Sequence, residues 1–218
     1  MAERRSIMQK LTKSPAVIAP PAIILFGFLV ALTANTFIGA WAFIPLALVY
    51  WLSIICVVKP DRTNLSKLLK KPQGSLVWQF LPYFPALFTL VAFVWGLRVI
   101  TITPLLTVLS IIFILVNPVM EELFWRGWLL THLPWGQAAN ITYSTLMFTI
   151  SHYLMWGVFS LTIRSSMMLM PLIIMGVIWS IAFLKSASLC HCIIAHALVD
   201  TFNLSIWVFL NLYIPPVV

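Results

Sequence analysis

Apolar residues in this chain come in long unbroken runs, not in alternation. The first spans about 15–34. After the uncharged "TANT", a second spans about 37–58. Others cover about 76–97, 99–130, 141–159, 167–184 and 187–213. Roughly 20 consecutive apolar residues make a helix long enough to cross a bilayer. Continuous runs exclude the period-two pattern of a membrane barrel. The pattern predicts an all-α fold, a polytopic membrane helix bundle of about seven transmembrane helices, within a range of roughly six to eight. Pro82 and Pro85 are expected to kink the third helix, as bundled membrane helices allow. The first run is like a signal-peptide core, but no clean small-x-small cleavage pattern follows, so it reads as an uncleaved span.

Composition agrees with the pattern. Of 218 residues, 62% are hydrophobic and 8% charged, against about a quarter charged in soluble domains. The expected organisation is a basic arm over 1–14, then a single transmembrane helical domain over 15–218. The formal charge of +8 raises the possibility of nucleic acid, but nine of the 13 basic residues fall in two short stretches, the arm and the 59–71 loop. Such stretches mark cytoplasmic loops and attract anionic lipids. The expectation is therefore no nucleic-acid partner, a multi-pass protein of a bacterial plasma membrane with its N-terminus cytoplasmic, and anionic lipids at the basic loops.

Three cysteines, Cys56, Cys190 and Cys192, make no disulfide framework. The "CHC" at 190–192 looks like a metal cluster, but helical residues two apart diverge, so these read as packing cysteines. His191 and His132 are assigned to the membrane interface.

The remaining polar residues are out of place in such a chain. Glu121, Glu122 and Asp200 lie within or beside apolar runs. Acids there face a bundle interior or a water-filled cavity. In "NPVMEELFWRGWLL", Glu122 and Arg126 are four apart and can pair on a helix. The plain reading is a helix-end salt bridge with Arg126 snorkelling to the interface. It leaves Glu121 without a partner. His152 follows Phe148 by one turn in "FTISHYLMWG". His196 and Asp200 are one turn apart in "CHCIIAHALVDTFN", with Asn203 beyond them. Each alone is also compatible with helix-to-helix hydrogen bonding. With an inside N-terminus, Glu121, His152 and His196 fall at one depth, about 13–20 Å from the cytoplasmic ends of their helices. A carboxylate and one or two imidazoles at one depth can hold and deprotonate water. Glu121, His152 and His196 are also ligand types for Zn²⁺, which would lower the pKa of its water. Neither HExxH nor GxSxG is present.

These elements resemble the signature of the CAAX-protease and bacteriocin-processing family, also called Abi. EExxxR is matched by "EELFWRGWLLTHL", FxxxH by Phe148 and His152, and HxxxN/D by His196 and Asp200 after Ser188 and Leu189. The resemblance covers about 118–203, within a core of about 99–213. It implies an intramembrane endopeptidase opening to the cytosol and acting on membrane-associated peptide or protein substrates, whether CAAX-like tails or leader or propeptides. By position, Glu121 would be the general base, with His152 orienting the water. Glu122 and Arg126 would fix the helix, and His196 and residue 200 would face the oxyanion. The eukaryotic CAAX enzyme carries Asn where this chain has Asp200. An amide donates to an oxyanion and an ionised carboxylate repels it, which leaves the role of Asp200 open. The alternatives are a non-catalytic scaffold or bacteriocin-immunity-type protein of the same fold, and a proton-coupled carrier. No inverted repeat favours the carrier.

Overall fold

The computed structural model describes residues 14–59, 65, 66 and 68–215. The arm over 1–13, and Arg62 and Lys67 of the basic loop, lie outside the described residues. Everything regular among the described residues is helical. Helix α1 (Pro15–Ile38) starts with proline at its first position, where the missing N–H has no intrahelical partner to lose. It runs straight through "TANT", which was expected to be the turn. The chain reverses at Gly39–Ala42 instead. Gly39 adopts φ +56° there, and glycine enters that left-handed region without steric penalty.

Helix α2 (Phe43–Val58) packs back against α1. The third pass is broken as its prolines predict: α3 (Leu76–Phe80), a 3₁₀ turn over Leu81–Tyr83, then α4 (Phe84–Gly96). Helix α5 (Pro104–Glu122) is capped by Thr103, whose hydroxyl accepts from the Leu106 N–H. It continues as a π-helix over Leu123–Leu129 and ends in Leu130–His132. Helices α6 (Gln137–Leu154) and α7 (Leu169–Ser186) follow and pack closely together. The last expected span is not one helix. It divides into α8 (Cys190–Phe202) and α9 (Ser205–Phe209), because Leu204 takes φ +53° and turns the chain.

Four stretches are long and apolar enough to cross a membrane: Pro15–Val58 with its internal turn, Leu76–Gly96, Pro104–His132 and Ser166–Ser186. The expected count of seven is not reached by that measure. Helix α8 has 13 residues, about 20 Å at 1.5 Å per residue, and the inner face of α6 is studded with Asn140, Ser144, Thr145, Thr149 and Ser151. The outside of the bundle is apolar too, with Leu25, Phe26, Phe88, Val91 and Leu115 all exposed. A helix that is apolar all round belongs in lipid.

Contacts sort the connections onto two ends. At one, the Leu189 N–H donates to Leu68 O (2.8 Å), the Ser188 hydroxyl to Lys70 O (2.6 Å) and the Gln73 N–H to Ser186 O (2.8 Å). Lys70, Lys71 and Lys185 gather here. At the other, the Trp207 indole donates to Thr101 O (3.0 Å) and Asn211 binds the 159–161 segment. Arg98 and Arg164 belong to this second end.

Candidate active site

Helix α5 brings both glutamates inside. Glu121 and Glu122 have no exposed surface at all. Arg126 sits one turn on, within the π-helical segment, and it too is buried at 1%. The snorkelling of the plainer alternative does not occur. Its guanidinium donates to Glu122 Oε1 (2.9 Å) and lies over the Phe148 ring at 4.5 Å and the Trp179 ring at 5.2 Å. A desolvated cation over aromatic faces gains about 2 kcal/mol, which helps hold a charge so far from water. π-Helical segments widen a helix and often accompany functional sites.

The same Glu122 oxygen accepts the Nδ1–H of His196 (2.9 Å). Glu122 thus ties α5 to α8 as well as to its own next turn. Trp179 of α7 stacks on the His196 ring (4.6 Å, 27°) and anchors its indole N–H on Pro82 O (3.0 Å). His152 donates Nδ1–H to the Phe148 carbonyl (2.9 Å), while its ring contacts the Phe148 ring (4.5 Å). The phenylalanine one turn before His152 therefore touches both Arg126 and the histidine.

With both Nδ1 hydrogens committed, each imidazole turns Nε2 inward, and a neutral ring keeps its lone pair there. Both Nε2 atoms face Glu121: Oε2 is 3.6 Å from His196 and 3.9 Å from His152. These separations exceed direct hydrogen bonds; the neighbour placed to donate to Glu121 is the buried Tyr50 hydroxyl, which accepts from the Trp125 indole (2.9 Å) and interacts with the carboxylate. His196 Nε2 also lies 3.8 Å from Asp200 Oδ1. The Asn117 amide donates to Asp200 Oδ2 at 3.3 Å, and the Trp51 indole donates to Asn117 Oδ1 at 3.1 Å.

Glu121, His152, His196 and Asp200 thus come together, with Glu122, Arg126 and Phe148 around them. Asn203 caps α8 and lines the adjoining cavity. His191 and His132 stay apart, bound to Tyr83 (2.9 Å) and to Trp128 O (2.8 Å). All three cysteines are free, and Cys192 is buried. Sequence reasoning missed Asn117, Trp51 and Trp179. Asn117 carried a readable signal, a carboxamide one turn before Glu121 in an apolar run. The two tryptophans carried none that set them apart from lipid-facing residues.

The cavity beside the site is lined by Phe113, Trp156, Thr162, Met168 and Pro215 as well as by the polar residues. Thr162, Met168 and Pro215 lie at the end away from the lysines, so the cavity extends from the site towards that end. Among the described residues, no three His, Cys, Asp or Glu groups have the spacing to hold a metal ion.

The fold and site define a class: a membrane-embedded helical bundle enclosing a carboxylate–imidazole centre. Residues 103–202 match the family described as type II CAAX prenyl endopeptidase Rce1-like. That segment runs from the cap of α5 to the end of α8 and holds every motif residue from Glu121 to Asp200. Over it, the match bears out the CAAX-protease resemblance. No curated protein and no solved structure matches the chain.

Proposed function

We propose that the protein is an intramembrane endopeptidase that hydrolyses peptide bonds of membrane-associated substrates with water activated by Glu121 and histidine. The observation that carries this reading is Glu121 itself. Its carboxylate is wholly buried, has no ion-pair partner of its own at hydrogen-bond distance, and is faced by two imidazole nitrogens at 3.6 and 3.9 Å. A buried acid with no cation paired directly to it is expensive to maintain. The expense is understandable where the acid must accept a proton during reaction. The family match over 103–202 supports the same activity.

A water between Glu121 and His152 can donate one hydrogen to the carboxylate and one to the imidazole lone pair. Glu121 takes the proton as the water oxygen adds to the scissile carbonyl. The resulting tetrahedral centre collapses as the leaving amine receives that proton from Glu121, giving a carboxylic acid and an amine. Glu122, shared between Arg126 and His196, holds the reacting helices in register. The apolar, aromatic cavity walls suit a hydrophobic peptide or lipid-modified segment and keep bulk water out, which strengthens electrostatic interactions within the site. Substrates are CAAX-like tails or leader or propeptides.

The test is turnover of purified protein in detergent on prenylated CAAX and leader-type reporter peptides. Glu121→Gln keeps the shape and removes the base. Loss of a general base lowers turnover by roughly 10²–10⁴-fold, and thermal unfolding should be unchanged. Near-native turnover by Glu121→Gln would remove Glu121 from the mechanism and the reading with it.

A further inference from the structure

The mechanism leaves Asp200 unexplained: a carboxylate where a site that develops an oxyanion needs donors. The structure surrounds it with a directional chain. Trp51 Nε1–H donates to Asn117 Oδ1 (3.1 Å), and Asn117 Nδ2–H donates to Asp200 Oδ2 (3.3 Å). Asn117 is 3% exposed and Asp200 8%. An indole N–H can only donate. Trp51 therefore fixes which way the Asn117 amide points and commits its NH₂ to Asp200. The second oxygen, Asp200 Oδ1, is turned to His196 Nε2 at 3.8 Å. Trp51 comes from α2, outside the segment that matches the family.

We propose that Asn117 is a positioning residue for the reaction. Held by Trp51, it pins one Asp200 oxygen so that the other faces His196, and the working unit is an amide–carboxylate pair, not Asp200 alone. The inference rests on the peptidase reading for its catalytic part and on geometry alone for the pairing. Its consequence is reciprocity. In Asn117→Asp, two carboxylates meet in the interior and repel. With Asp200→Asn added, the pattern returns in mirror form. Trp51 donates to the new carboxylate, the new amide donates to it as well, and the amide oxygen faces His196.

The experiment compares the wild type, N117A, N117D, D200N and the N117D/D200N exchange. Thermal unfolding in detergent needs no substrate and comes first. N117D should melt lower than the wild type, and the exchange should regain most of the loss. Additive losses would overturn the pairing. Turnover of a prenylated CAAX reporter peptide comes second. N117A should lower kcat about tenfold or more with KM within about twofold, the signature of an interaction that matters in the transition state. N117D should lose more, and the exchange should recover kcat with an altered pH profile, since the ionisable group has moved. Full kcat in N117A, with the wild type active, would overturn the positioning role. A wild type that shows the melting rescue but cleaves no reporter peptide would defeat the peptidase reading and the catalytic role together, leaving the pairing intact.

Discussion

At the scale of single residues, one oxygen organises the site. Glu122 Oε1 accepts from both Arg126 and His196 at 2.9 Å. Removing Arg126 strands a buried carboxylate, an effect of about 3–5 kcal/mol in proteins. Arg126→Ala should therefore melt well below the wild type in detergent. Arg126→Lys should fall between them, because an ammonium keeps the charge but loses the planar contact with Phe148 and Trp179. Adding Glu122→Gln to Arg126→Ala should restore stability in part, since an amide oxygen still accepts from His196 without a stranded charge. A wild-type melting temperature for Arg126→Ala would mean that the pair contributes nothing. The residues legible in the sequence at this scale were those paired within one turn: Glu122 with Arg126, Phe148 with His152, His196 with Asp200. Helical periodicity puts such pairs on one face. Asn117 and Trp51 meet partners 83 and 66 positions away, and no local spacing encodes that.

At the scale of elements, apolar runs located the helices but not their interruptions. The seventh run reads as one span because Leu204, which breaks it, is as apolar as its neighbours. The π-helical segment of α5 likewise has no breaker residue to announce it. Beside the polar ties, small residues set how closely some helices approach, a common solution where lipid removes the hydrophobic drive between helices. At Gly176 of α7, a Cβ would lie 2.7 Å from Thr145 Cγ2 and 3.0 Å from its Oγ1, on α6. Thr145 is β-branched and stiff. At Gly27 of α1, a Cβ would lie 2.7 Å from the terminal methyl of Met155, which can swing aside. Gly176→Ala should destabilise by about 1–3 kcal/mol, the usual effect of overpacking, and Gly27→Ala by less. Because Phe148 and His152 ride on the same helix as Thr145, Gly176→Ala should also lower turnover. Thr145→Ser, which removes the methyl at 2.7 Å but keeps the hydroxyl at 3.0 Å, should relieve both defects in part. Equal melting of the two alanine variants would show that α6 and α7 tolerate separation.

At the scale of the molecule, charge and cavity point to opposite ends of the bundle. Lys70, Lys71 and Lys185 lie at one end, and the arm and the rest of the basic loop adjoin it in sequence. The cavity extends towards the other, to Thr162, Met168 and Pro215, where Arg98 and Arg164 are the basic residues among those described. If the mouth lies at that end, two sequence-derived expectations conflict: a cytoplasmic lysine end and a site opening to the cytosol. Basic residues in short loops set orientation during insertion, and their imbalance here is large. The lysine end should be cytoplasmic and the cavity mouth should face the other side of the membrane. Cysteine accessibility decides this in a Cys56, Cys190 and Cys192→Ser background. Met167→Cys, exposed next to the cavity-lining Met168, should react with a membrane-impermeant maleimide in intact cells. Lys71→Cys should react only after the membrane is permeabilised. That outcome favours leader or propeptide substrates presented as they emerge from the cell, because a cytosolic CAAX-like tail would not reach the mouth. The reverse labelling would put the mouth in the cytosol, restore such tails as substrates, and mean that the lysines do not set the topology. Labelling of both positions from one side would break the two-ended architecture itself.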